Sequence, residues 1–144
     1  MREIYFRGKK HKTGKWIIGS LVVDTIPGLE ACIRDFGREY HFVDPETVGQ
    51  YIGRVDKHRW KIFDGDIIKL SWLEEDVRCE EIFCVRYDEE SAGFVKEYDK
   101  SEIRAYERAM FEQEALDEYN AEIIGNVWDN PELGFDKTKG AGVR

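Results

Sequence analysis

Apolar and polar residues alternate in short runs along most of the chain, and turn residues separate the runs. Residues 2–7 set Ile4 and Phe6 on one side and Glu3, Tyr5 and Arg7 on the other, which predicts a first strand. The polar stretch 8–14 is bounded by Gly8 and Gly14 and predicts a turn. Alternation resumes over 15–23, with Trp16, Ile18 and Val22 facing one way and Ile17, Leu21 and Val23 the other, so this strand is expected to be covered on both faces. Residues 29–39 are ambiguous: Ala31, Cys32 and Ile33 fit the start of a short helix or a loop that connects strands. Short strands follow at 40–43 and 48–53. Between them Asp44-Pro45-Glu46-Thr47 is a turn, because proline presets one dihedral and Asp bonds the backbone beyond it.

The second half repeats the pattern. Asp64-Gly65 supplies a tight turn into a strand at 66–73. The next strand, 77–87, has Val77, Cys79, Phe83, Val85 and Tyr87 on one face, and 94–98 returns as its hairpin partner. A last strand spans 121–128 and stops at Asp129-Asn130-Pro131. Only 99–119 changes period. It is rich in Glu, Ala, Arg, Met and Leu, opens with Asp99 three residues before Glu102, and sets Ile103, Tyr106 and Met110 on one side, which predicts a capped helix. The expected fold is mainly β (α+β by content), a curved antiparallel sheet or partly open small barrel with one helix near the C-terminus. Residues 2–7, 15–23, 66–73, 77–87, 94–98 and 121–128 are its sheet. Trp16 and Trp128 are expected inside and Trp60, in a Lys/Arg-rich loop, outside. Residues 1–133 form one domain, and the Gly- and Lys-rich stretch 134–144 is a flexible tail.

Composition narrows the chemistry. With 144 residues the chain can bury an ordinary core without staples. The net charge of −8 disfavours nonspecific attraction to nucleic acid or anionic membrane. That charge is unevenly spread, near +4 over 1–61 and −12 over 62–144. Three cysteines, Cys32, Cys79 and Cys84, make no disulfide framework and fit a reducing cytoplasm. The first seven residues hold no long apolar run, and no stretch approaches the roughly 20 apolar residues of a membrane span.

Candidate sites each have a plainer explanation beside them. Asp64 and Asp66 share one strand face and, with Asp56 and Glu46, could hold the divalent cation of a nuclease. Ordinary turn chemistry accounts for the same residues. His11, His41 and His58 with Cys79 and Cys84 lack zinc-ligand spacing, so no metal site and no cofactor is expected. Lys9, Lys10, Lys12 and Lys15 beside Trp16, and Lys57, Arg59 and Lys61 beside Trp60, could hold phosphates while a ring stacks on a base. Solvated loops beside core tryptophans are the favoured explanation, and the net charge supports it.

Three blocks, in order, resemble one family. The first joins Arg7-Gly8-Lys9 to Lys15-Trp16-Ile17-Ile18-Gly19-Ser20-Leu21. The second runs from Val43-Asp44-Pro45-Glu46-Thr47 through Val48-Gly49-Gln50-Tyr51-Ile52-Gly53, Asp56-Lys57 and Lys61-Ile62-Phe63-Asp64-Gly65-Asp66-Ile67-Ile68. The third is Ile123-Ile124-Gly125-Asn126-Val127-Trp128-Asp129-Asn130-Pro131-Glu132-Leu133. Together they resemble the YopX-like proteins of phages and prophages. The resemblance implies a β-rich, partly barrel-like, oligomeric phage protein and carries no reaction with it. The function expected is a non-enzymatic, self-assembling interaction module in the host cytoplasm, which binds a phage or host macromolecule. The alternatives are a small metal-dependent hydrolase using Asp64 and Asp66, or a nucleic-acid-binding barrel. Homo-oligomerisation is assigned to sheet edges and to Tyr106, Met110 and Phe111 of the helix. In that picture the basic N-terminal portion of one copy meets the acidic C-terminal portion of the next.

Overall fold

A computed structural model describes residues 1–23, 31–98 and 111–136. The chain divides into two compact units, 1–53 and 54–144. Antiparallel strands dominate both, and among the described residues neither sheet closes into a barrel.

The first unit carries β1 (Phe6–Lys9), β2 (Trp16–Val22), β3 (Cys32–Asp35), β4 (Tyr40–Phe42) and the start of β5 (Gly49–Val55). Their order across the sheet is β4-β3-β2-β1-β5. Ala31, Ile33 and Val43 form its core, with Phe6, Ile17, Leu21 and Val48 packed on them. The first strand begins later than the alternation suggested, and it also ends later, because Gly8 does not break it. Gly8 sits in β1 opposite Ile17 and its backbone lies against Val43, where a Cβ would come within 2.8 Å of that side chain. The turn is confined to Lys10–Gly14, closed by Gly14 N–H donating to the Lys10 carbonyl. At Cys32–Asp35, where a short helix or a connecting loop was expected, the chain instead forms β3, because β2 and β4 pair with it on both sides. Ser20 and Val22 are exposed while Leu21 between them packs on the core, so the end of β2 is covered on one face only.

The second unit carries the end of β5, then β6 (Lys61–Phe63), β7 (Asp66–Glu74), β8 (Val77–Asp88), β9 (Gly93–Glu97), α1 (Gln113–Glu118) and β10 (Glu122–Asn126). Its sheet runs β10-β7-β8-β9. The six strands expected in one sheet are therefore shared between two. Period-2 patterning assigns a face to each residue but does not name a strand's neighbour. Ile67, Cys84 and Val127 make the core together with Phe135, which is only 8% exposed. Phe135 lies within the stretch expected as a tail, so packed structure continues past residue 133. Residues 99–110, which include Asp99, Glu102, Ile103, Tyr106 and Met110 of the expected helix, lie outside the described residues. Within them, Glu112 is extended (φ −73°, ψ 134°) and the helix that follows is the short α1.

Trp60 is 69% exposed, as expected. Trp16 and Trp128 are half-buried. Trp16 packs beneath the Arg7 guanidinium, 4.5 Å from the ring centre.

Candidate interaction surface on the long hairpin

Most of the residues expected to carry chemistry hold the fold's own turns. Asp66 is buried, and its carboxylate accepts the Phe63 N–H at 2.8 Å. Asp64 accepts the Tyr87 N–H at 3.3 Å. Gly65 between them has φ +94°, a conformation that side-chain-bearing residues rarely adopt, and the Trp128 ring lies directly against it. This is a turn held by its own carboxylates. Among the described residues neither Asp64 nor Asp66 belongs to a group of three metal-ligating side chains.

Asp56, also buried, is a hub of the same kind. One carboxylate oxygen accepts the N–H groups of His58 (2.9 Å) and Trp60 (3.0 Å), and the other accepts Ile123 N–H (3.1 Å). The loop between β5 and β6 is thus tied to β10.

Two cations of the second basic cluster pair with acids of their own unit. Lys57 Nζ lies 2.9 Å from Glu122, and Arg59 reaches Asp117 at 3.4 Å. The Lys57 ammonium holds the Glu122 carboxyl below its usual range. In the first cluster, Arg7 and Lys9 stand over the Trp16 ring, with Lys9 Nζ 5.6 Å from its centre, so that face is not open for stacking on a base. Lys10, Lys12 and Lys15 stay at the surface beside it.

The Asp44-Pro45-Glu46-Thr47 block is a 3-10 turn clamped to β1. Thr47 Oγ1 accepts Lys9 N–H at 2.8 Å and donates to the Asp44 carbonyl at 2.7 Å, and His11 Nδ1 meets the Asp44 carboxylate at 2.6 Å. A cluster of Asp35, Glu39 and His41 sits at the β3–β4 hairpin. Asp35 closes that hairpin by accepting Glu39 N–H (2.9 Å) and bonding His41 Nε2 (2.8 Å), and chiefly the His41 bond lowers its pKa. Its oxygens are already committed to the turn.

The β7–β8 hairpin is different. β10 pairs with β7 only over Asp66–Lys69, and β9 pairs with β8 only from Cys84 onward. The two strands continue together past both neighbours as far as the pair Glu74–Val77. Glu75 and Asp76 turn the corner with φ of +48° and +63°, the left-handed pair that suits a two-residue hairpin. Leu73, Val77 and Ile82 are 71%, 63% and 42% exposed on this arm. On the β7 side, Tyr119 and Asn120 extend the sheet: Ser71 N–H donates to the Tyr119 carbonyl (2.8 Å) and Asn120 Nδ2 to the Ser71 carbonyl (2.9 Å). The Tyr119 ring meets Trp72 edge-on at 5.4 Å. A cleft of about 620 Å³ lies there, lined by Ser71, Trp72, Leu73, Arg78 and residues 118–120. On the β8 side, no described strand pairs with the arm before Cys84. Phe111, assigned to an oligomer interface with Tyr106 and Met110, is half-buried, 6.1 Å from the Phe83 ring centre, and its carbonyl accepts from Arg54 Nε.

The YopX protein family model matches residues 5–133. The chain belongs to the YopX family. The crystal structure of protein EF1440 from Enterococcus faecalis is similar to this YopX chain in fold. It is 17% identical, with a TM-score of 0.50 over 94% of this chain and 100% of that one. No curated protein sequence matches the chain. No helix among the described residues is long and apolar enough to cross a membrane.

Both the family blocks and the structure concentrate at turns. Gly65 and Trp128 come from different blocks and touch. The projecting hairpin falls in the stretch between blocks, where no motif pointed. The signal that could have found it was length: the strand read over 77–87 outran its expected partner at 94–98.

Proposed function

We propose that this YopX-family chain is a non-enzymatic interaction module of a phage or prophage, working in the host cytoplasm by assembling with itself and docking a phage or host macromolecule. The observation that carries the reading is the β7–β8 arm, which extends beyond its flanking strands and exposes three large apolar side chains. Exposed β edges with apolar side chains recruit other chains unless they are covered. The commitment of Asp64 and Asp66 to turn hydrogen bonds supports a module over a metal-dependent hydrolase. The pairing of Lys57 and Arg59 with acids supports a protein partner over nucleic acid. Light scattering across a dilution series tests the reading. Mass is expected to rise with concentration, and shortening the arm by removing 72–79 and rejoining it with a two-residue turn should abolish the rise. A monomer mass at every concentration refutes self-assembly.

A further inference from the structure

The outer edge of β8 has a definite hydrogen-bonding phase. In an antiparallel ladder a residue's N–H and C=O point to the same side, and successive residues alternate. Ser71 directs its N–H away from β8, toward Tyr119. Its partner Glu80 therefore directs its own groups away from β7. Arg78 and Ile82 share that phase, whereas Cys79 and Glu81 face inward to Trp72 and Leu70. Among the described residues no strand pairs with this edge, so it offers the backbone groups of Arg78, Glu80 and Ile82.

A second copy meeting this edge about a two-fold axis must run antiparallel. The axis stands perpendicular to the sheet and preserves its faces, so residues directly opposite have the same parity. Few registers remain. Centring on Arg78 sets two arginines opposite each other and Asp76 opposite Glu80. Centring on Glu80 or Glu81 sets like carboxylates together. Centring on Cys79 sets Arg78 opposite the second copy's Glu80, and Glu80 opposite its Arg78, with no like charges opposed. Those two pairs are also in the outward phase, so each can exchange two backbone hydrogen bonds. The acidic corners at Glu75 and Asp76 fall at opposite ends of the contact. At about 3.3 Å per residue they stand roughly 23 Å apart, beyond a Debye length of about 8 Å.

We infer that the occupant of this edge is a second copy of the same chain, joined through antiparallel pairing of the β8 segments around Cys79, with Arg78 and Glu80 as the reciprocal charge pairs. This rests on the self-assembly reading above and specifies its contact. The contact is isologous, so it does not use the basic N-terminal cluster. Arg78 and Glu80 already lie 3.4 Å apart within one strand, and both are largely exposed, so exchanging partners requires little reorganisation.

Two arms test it on the full chain. Diamide takes two electrons and two protons from a pair of thiols to give a disulfide. The central Cys79 pair would occupy a non-hydrogen-bonded position, where Cα atoms stand about 4.5 Å apart, within disulfide reach. Diamide should yield a covalent dimer through Cys79, absent in Cys79→Ser. Cys32 and Cys84 are buried, and burial pushes the Cys84 thiol pKa up, so they serve as internal controls. In the second arm, sedimentation velocity compares Arg78→Glu and Glu80→Arg. Each reversal sets like charges opposite one another at both pairs and should weaken association roughly ten-fold. An equimolar mixture of the two variants restores both pairs and should associate as the parent does. Failure of either arm in a protein that still self-associates overturns the register and leaves the self-assembly reading standing. A protein monomeric at every concentration overturns both.

Discussion

Replacing Asp56 tests how far the turns that carry the family blocks hold the second unit together. The side chain is buried and accepts three backbone N–H groups, two in its own loop and one from Ile123 in β10. Hydrogen bonds to an ionised acceptor contribute about 1.5–3 kcal/mol each. His58 is exposed and Trp60 is 69% exposed, so water replaces much of what those two N–H groups lose, leaving a cost near the bottom of that range or below it. Ile123 is half-buried in the sheet, and its N–H carries more of the penalty. Asp56→Ala should therefore destabilise by about 3–5 kcal/mol, a large share of a small domain's stability. Asp56→Asn separates the two functions. Its carbonyl oxygen can keep the two loop bonds, but its amide then points a donor at the Ile123 donor, for about 1.5–3 kcal/mol. Urea unfolding followed by tryptophan fluorescence measures both variants against the parent. A change below 1 kcal/mol for Asp56→Ala would refute the hub. Equal costs for Asn and Ala would remove the division between loop and sheet bonds.

The remaining predictions concern two other turns. Gly65→Ala should cost about 2–4 kcal/mol by urea unfolding, because its Cβ would meet the Trp128 ring at 2.3 Å and φ is +94°; a neutral result would contradict the close approach. Asp35 has a folded pKa lowered from 3.8, chiefly by the His41 bond, so its stabilising effect is present above that value and is lost as pH falls through the lowered one. Asp35→Asn should therefore be less stable than the parent at pH 5 and converge on it toward pH 2, read from urea midpoints at each pH; a gap that widens with acid would reverse the assigned sign.

The strands were legible because one buried face imposes a period of two. The pairs 66–74 with 77–88 and 84–88 with 93–97 follow from apolar spacing and turn residues nearby in the chain. Sheet membership was not legible. The run read at 121–128 pairs as β10 with β7, more than fifty residues earlier, and a bulge between Ile123 and Gly125 shifts its register. Nothing within a strand's own alternation encodes such a neighbour. Gly8 and Phe135 failed for a related reason. Gly8 serves the close approach of Val43 in an ordinary strand conformation rather than a turn. A lone aromatic in a polar stretch is core once the chain returns it to Ile67 and Cys84.

The same distinction explains why the family blocks identified the chain without naming an activity. In the second and third blocks polar residues bind the chain's own backbone: Thr47 holds Lys9, Asp56 holds Ile123, Asp66 holds Phe63, and Asn126 accepts Trp128 N–H at 3.0 Å and Asp129 N–H at 2.9 Å. A polar group spent on a buried or turn N–H cannot change without leaving that donor unsatisfied, a penalty of about 1–3 kcal/mol. Such positions constrain a sequence strongly while contributing no outward chemistry. Among the described residues the outer edge at 78–82 bears few such obligations, so Arg78, Glu80 and Ile82 can vary without leaving a backbone donor unsatisfied. A recognition surface built there leaves no fixed motif within one chain. The proposed contact rests on strand lengths, hydrogen-bond phase and charge order in the folded sheet.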